Sequence, residues 1–136
     1  MAGLAVLAMF LSGALALARE AVSDLQMFSR EDVRLADYIR EETAPDARFI
    51  TGTQHLNPVS SLAGREIVVG PDLWLYYHGF DTSQRQADLL AFYRDPVAAR
   101  QVPARYGADY ILLGSYEREM GGSREALAEL FELVYE

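Results

Sequence analysis

Cysteine is absent from all 136 residues, which excludes disulfides, thiolate metal sites and cysteine nucleophiles. Lysine is absent as well: the twelve basic residues are all arginine and form no block. With twenty acidic residues and a formal net charge of −8, the chain repels phosphate backbones, so no nucleic-acid partner is expected. No glycine-rich phosphate loop follows the first expected strand, because Thr51-Gly52-Thr53 is too short a signal. No Ser/His/Asp arrangement has a nucleophile elbow around it. Internal repeats and low-complexity tracts are also missing. What is present is one domain's length at 51% hydrophobic residues, enough for a few short elements to bury a core.

The hydrophobicity is concentrated at the start. Residues 2–18 (AGLAVLAMFLSGALALA) carry no charge and a single hydroxyl, Ser12. As a helix this segment spans about 26 Å, the short end of what crosses a bilayer core. Leu4, Val6, Leu7, Phe10, Leu11, Leu15 and Leu17 together favour insertion by about 3 kcal/mol, less a little for Gly3, Gly13 and Ser12. A membrane-spanning helix at residues 1–18 is the leading reading. A cleaved signal peptide is the second, since Ala16-Leu17-Ala18 fits a small-x-small site, although Met1-Ala2-Gly3 supplies no positive n-region. A buried helix of a soluble protein is the third, weakened by the lack of any polar face.

From Arg19 the chain changes character. Residues 19–28 read as a linker continuing the helix, and residues 29–136 as a separate α/β domain. Ser29 with Asp32 marks a helix start, Leu35, Ala36 and Ile39 its apolar stripe, and Pro45 its stop. Strands are expected at 48–53, 66–70 and 109–114, the last two as continuous apolar runs typical of a sheet covered on both faces. Between them, residues 83–94 form an amphipathic helix with Ser83 and Gln86 as its capping box, and 103–106 a short helical approach closed by Gly107. Leu127, Leu130, Phe131 and Val134 fall at i, i+3, i+4 and i+7 and predict a closing helix. The fold class is therefore α/β: a small, open, mainly parallel sheet of three or slightly more strands, flanked by helices and preceded by the apolar helix.

In such sheets ligands bind at the carboxyl ends of the strands. The loops at 53–58, 71–81 and 115–118 bring both histidines, the sole tryptophan, and Tyr76, Tyr77, Phe80 and Tyr116 to that edge. The candidate ligand-binding residues are His55, Asn57, Trp74, Tyr76, Tyr77, His78 and Asp81. Each has a plainer alternative. The histidines match no metal spacing and serve equally as loop hydrogen-bonders. Asp81 caps the helix after it as readily as it does chemistry, and Asn57-Pro58 is a turn former. Trp74, Tyr76 and Tyr77 suit sugar stacking, a membrane-interface belt, or packing under a loop. No catalytic residue, metal or cofactor is expected.

Several blocks have a wider likeness. Arg40-Glu41-Glu42-Thr43-Ala44-Pro45-Asp46-Ala47-Arg48-Phe49-Ile50-Thr51 resembles a stretch that follows the last membrane helix of bacterial and archaeal integral-membrane glycosyltransferases of the GT-C type, relatives of the protein mannosyltransferase-like families. So do His55 with Asn57-Pro58-Val59-Ser60-Ser61-Leu62-Ala63-Gly64-Arg65, then Trp74-Leu75-Tyr76-Tyr77-His78-Gly79, then Tyr106-Gly107-Ala108-Asp109-Tyr110. The likeness covers residues 1–118. It implies a polytopic enzyme that transfers sugar from a polyprenyl-phosphate donor outside the cytoplasm, with its catalytic acid in an early loop that this chain lacks. The expected role is thus a non-catalytic extracytoplasmic C-terminal domain or fragment, at the cell membrane. Its expected partners are the bilayer, the rest of the glycosyltransferase and the polyprenyl-linked sugar. The alternative is an independent membrane-anchored or secreted binding module with an aromatic and histidine edge. Arg19, Arg30, Arg34 and Arg40 follow the apolar segment and by the positive-inside tendency pull the domain to the cytoplasm; the resemblance places it outside, and that placement is preferred here.

Overall fold

A computed structural model describes residues 2–136, except for the side chains of residues 2, 4, 5, 7, 8 and 9. In chain order the elements are α1 (Ala2–Ala21), α2 (Arg30–Glu42), β1 (Arg48–Ile50), α3 (Pro58–Ser61), β2 (Glu66–Ile67), α4 (Asp72–Tyr77), α5 (Ser83–Arg94), α6 (Val102–Tyr106), β3 (Tyr110–Ile111), α7 (Ser115–Glu119) and α8 (Arg124–Ala128). The three strands form one parallel sheet in the order β2-β1-β3. The fold is α/β with a small open parallel sheet, as expected. The ladders are shorter than the apolar runs suggest, two or three residues each.

Side chains alternate across the sheet, so one run of sequence feeds two cores. Phe49 faces a core with Ala36, Ile39, Val59 and Ala63, against which Ile67, Tyr110 and Leu112 pack. Ile50 faces the other, with Val68, Leu89, Phe92, Tyr93, Val102 and Leu127, joined by Ile111 and Leu113. Helices α2 and α3 therefore cover one face, and α5 and α6 the other. This two-sided burial is why the strands read as unbroken apolar runs.

The helix ends follow local chemistry. Ser29 and Asp32 form the expected capping box on α2: the Ser29 hydroxyl accepts from Asp32 N at 3.0 Å and Asp32 Oδ2 accepts from Ser29 N at 2.8 Å. At the other end Arg65 donates to the carbonyls of Ile39, Arg40 and Thr43 and to the Thr43 hydroxyl. A guanidinium there satisfies orphan carbonyls and complements the helix dipole. Because Arg65 directly precedes β2, this clasp also fixes direction: α2 ends at the amino edge of the sheet and begins, about 20 Å away, toward the carboxyl edge. Gly107, at φ 59°, ends α6 in the left-handed conformation that glycine adopts without strain.

Four expectations need correction. Helix α1 stops at Ala21, so residues 22–29 are irregular rather than a helical continuation. The cap of α5 is shifted by one: Thr82 is the N-cap residue, and its hydroxyl accepts from Gln86 Nε2 at 2.7 Å. The loops after β2 and β3 hold the short helices α4 and α7. The closing helix over 127–134 does not form, because α8 ends at Ala128. One turn already brings Leu127 and Phe131 to the core, and the remaining residues cross to α2. There Tyr135 lies on Tyr38 at 4.4 Å between ring centroids, and the Tyr38 hydroxyl donates to Val134 O at 2.9 Å.

The described side chains of α1 from Phe10 onward are exposed, and so are residues 22–27. None of these described side chains joins either core. Among the described residues no helix is long and apolar enough to cross a membrane; the apolar segment expected at 1–18 falls partly outside them.

Candidate functional site

The strand order reverses between β1 and β3, since the chain leaves β1 for β2 on one side and returns to β3 on the other. This is where open α/β sheets hold ligands. Here the space carries a network of the chain's own side chains. Glu117, fully buried, accepts from Gly52 N at 2.7 Å through Oε1 and from Gly114 N at 2.9 Å through Oε2. Gln54 Nε2 adds a third bond to Oε1 at 3.3 Å, while Gln54 Oε1 is buried without a hydrogen-bond partner. One carboxylate thus ties the loop after β1 to the loop after β3. Beneath it, the buried Tyr93 hydroxyl donates to Leu112 O at 2.7 Å and Ile50 O at 3.1 Å, joining the same two strand ends. Burial, and then the negative charge of Glu117, push the Tyr93 phenol well above its ordinary value, so it remains a donor. Gly52 is required by this packing, because a Cβ there would collide with the Tyr116 ring.

Asn57 belongs to the same interior. It is buried, its Oδ1 accepts from Val59 N at 3.0 Å as the N-cap of α3, and its Nδ2 donates to the Thr51 hydroxyl at 2.8 Å. Pro58 follows at the first helical position, where its missing N–H costs nothing. Both polar groups of Asn57 are engaged within the fold, the turn-forming role its sequence suggested.

The remaining candidates lie outside, in two groupings. Trp74 stands between the histidines: its ring is 5.7 Å from that of His55, edge-on, and 6.4 Å from that of His78. His78 Nδ1 lies 2.7 Å from Trp74 O. A carbonyl only accepts, so Nδ1 carries the proton. On the other flank Tyr76 and Asp81 border an open groove of about 610 Å³ with Leu73 and Phe80. Tyr77 meets Tyr76 edge-on at 5.6 Å. Asp81 Oδ1 accepts from the Ser83 hydroxyl at 2.6 Å and from Ser83 N at 3.0 Å, and these bonds, the hydroxyl's first, hold its carboxyl below the ordinary value. Asp81 thus turns the chain just ahead of α5, whose N-cap is Thr82 rather than Asp81.

Exposure separates these residues from a packed loop. Leu73 is 59% exposed, Trp74 64%, Tyr76 72%, Tyr77 80% and Phe80 61%; within α4 only Leu75 turns inward, against the core. The six-residue helix has no side-chain cap, Pro71 preceding it, and it presents aromatic surface almost all round. Among the described residues no cluster of three or more His, Asp or Glu is placed to hold a metal ion.

Sequence reasoning missed Glu117, Tyr93 and Arg65. The Gly114 to Glu117 spacing matches a capping pattern, an acid three residues past a helix start, and is the signal from which Glu117 was readable. Tyr93 and Arg65 act across distant elements and leave no local signal. The chain matches no family model, no curated protein and no solved structure.

Proposed function

We propose that this chain is a non-catalytic, extracytoplasmic C-terminal domain of a polytopic membrane glycosyltransferase that uses a polyprenyl-phosphate-linked sugar, and that α1 is its membrane helix. The observation that carries the reading is the state of α1: Val6, Phe10, Leu11, Leu15 and Leu17 are 51–75% exposed and lie outside both cores. Apolar surface on that scale needs cover. The uncharged stretch of this helix, residues 2–18, is about 26 Å long, the short end of what spans a bilayer's hydrocarbon core. The role of Glu117 supports the non-catalytic part, because its carboxylate is engaged by three donors in bracing the strand ends. The blocks that carry the resemblance fall on the parts that shape the carboxyl edge and its frame: Asn57 at the α3 cap, Arg65 at the end of α2, and α4 itself.

The second reading, an anchored binding module, is favoured by one observation: the exposed Trp74 ring flanked by His55 and His78. It predicts saturable ligand binding that Trp74→Ala abolishes.

The two separate in cells that make the native protein. An antibody against residues 29–136 should detect a membrane-bound polypeptide longer than this chain, and protease added from the extracytoplasmic side should remove the epitope. A band of this chain's own size would contradict the proposal, and one that is membrane-bound would favour the anchored module.

A further inference from the structure

We propose that the aromatic edge formed by α4 and the turn after it is a second membrane contact, lying in the headgroup layer of the bilayer that α1 enters; the inference rests on the reading of α1 as a membrane helix. Three observations lead to it.

The first is position. The Arg65 clasp puts the end of α2 at the amino edge of the sheet, so α2 starts toward the carboxyl edge. The eight irregular residues between α1 and α2 therefore join the domain at its carboxyl edge, the edge nearest α1 along the chain. Helix α4 follows β2 at that same edge.

The second is chemistry. Leu73, Trp74, Tyr76, Tyr77 and Phe80 lie within eight residues, and each exposes more than half of its surface. Tryptophan and tyrosine pair an apolar ring with a polar hydrogen-bonding group, which suits the boundary between acyl chains and headgroups. The backbone here is helical or turned, with Gly79 N bonded to Tyr76 O and Phe80 N to Leu75 O. Few main-chain groups would therefore lose water on docking.

The third is charge. No arginine occurs between Arg65 and Arg85, and Asp72 and Asp81 flank the aromatic run. A segment with aromatics, two carboxylates and no arginine of its own does not itself seek anionic lipid. It fits a zwitterionic interface, held by ring insertion, and the contact should be insensitive to salt.

Trp74 is the only tryptophan, so its fluorescence reports this edge without labelling. The full chain is reconstituted in phosphatidylcholine vesicles and floated on a density gradient. Trp74 emission is then read with nitroxide lipids at headgroup depth, with nitroxide at mid-chain, and with acrylamide in the water. The expected result is flotation, loss of more than half the emission to the headgroup nitroxide, weaker loss to the mid-chain probe, and no change in high salt. Replacing Tyr77 and Phe80 together by serine, with helicity checked by circular dichroism, should leave flotation intact and cut the headgroup quenching. Flotation with Trp74 quenched mainly by acrylamide overturns this inference and leaves the α1 reading standing. Quenching unchanged in the double variant overturns it too. Failure to float overturns both.

Discussion

Glu117 is the residue on which the carboxyl edge depends. Its two oxygens accept from Gly52 N and Gly114 N, and each of those N–H groups comes from the first loop residues beyond a strand. Removing the carboxylate strands two donors where water does not reach, so Glu117→Ala should lose about 2–4 kcal/mol. Glu117→Gln keeps the shape yet turns an NH2 toward one of the two N–H groups, so it should not rescue the loss. Urea midpoints in mild detergent check this; two variants within about 0.5 kcal/mol of the parent would contradict it. Tyr93→Phe removes the hydroxyl that bridges Ile50 O and Leu112 O and should cost about 1–2 kcal/mol in the same titration. Neither residue stood out in the sequence. The Gly114 to Glu117 spacing marks only a helix start, and the bond of Glu117 to Gly52 and the bridge made by Tyr93 exist only once β1 and β3 are adjacent. The cap of α2 was legible because its partners are near in sequence, Ser29 with Asp32; Asn57 read as a turn former and its capping of α3 emerged only from the structure.

Between elements, Asp88 joins α5 to α6. Its Oδ2 accepts from the Tyr106 hydroxyl at 2.6 Å and from Arg105 Nη1 at 2.7 Å, and Oδ1 accepts from Gln84 Nε2 at 2.9 Å. The Tyr106 bond first, then Arg105 and Gln84, hold the carboxyl below its ordinary value against the opposing effect of burial. A carboxylate depressed by folding adds stability above its unfolded value, and that stability disappears as pH falls through its folded value. Asp88→Asn should therefore cost about 1 kcal/mol near neutral pH and little in acid below the carboxylate range. Melting both proteins across that window tests it, and a penalty that does not shrink in acid would contradict it. Elements were readable from sequence where their periodicity is long: α2 and α5 appear at the expected residues. They were misread where it is short. Leu127, Leu130 and Phe131 satisfy a helical pattern within a single turn, after which the Tyr38–Tyr135 stack draws the chain away. Helices α4 and α7, of six and five residues, are too short to show a helical period, and α6 was legible only through Pro103 and Gly107.

At the scale of the whole molecule, the two cores use residues from Leu35 to Phe131 and, among the described side chains, none from α1 or the eight residues after it. A chain beginning at Ser23 should therefore fold with the same cores and remain monodisperse in buffer without detergent. The full chain, supplied with polyprenyl-phosphate sugars, should transfer none of them, and Asp81→Ala or His78→Ala should leave that result unchanged. Turnover that either substitution abolishes would overturn the non-catalytic role. The α/β class, the parallel sheet and the gathering of aromatics after β2 were all legible in the sequence, because apolar runs and loop composition are local. Which of those aromatics pair, and that Asn57 turns inward from them, depends on how the loops fold back.

Whether α1 holds this domain to a bilayer is decided by alkaline carbonate extraction of membranes from cells making either the full chain or the version starting at Ser23. The full chain should stay in the pellet after extraction, and the shortened chain should be found folded in the supernatant. Release of the full chain into the supernatant together with the shortened one would contradict anchoring by α1.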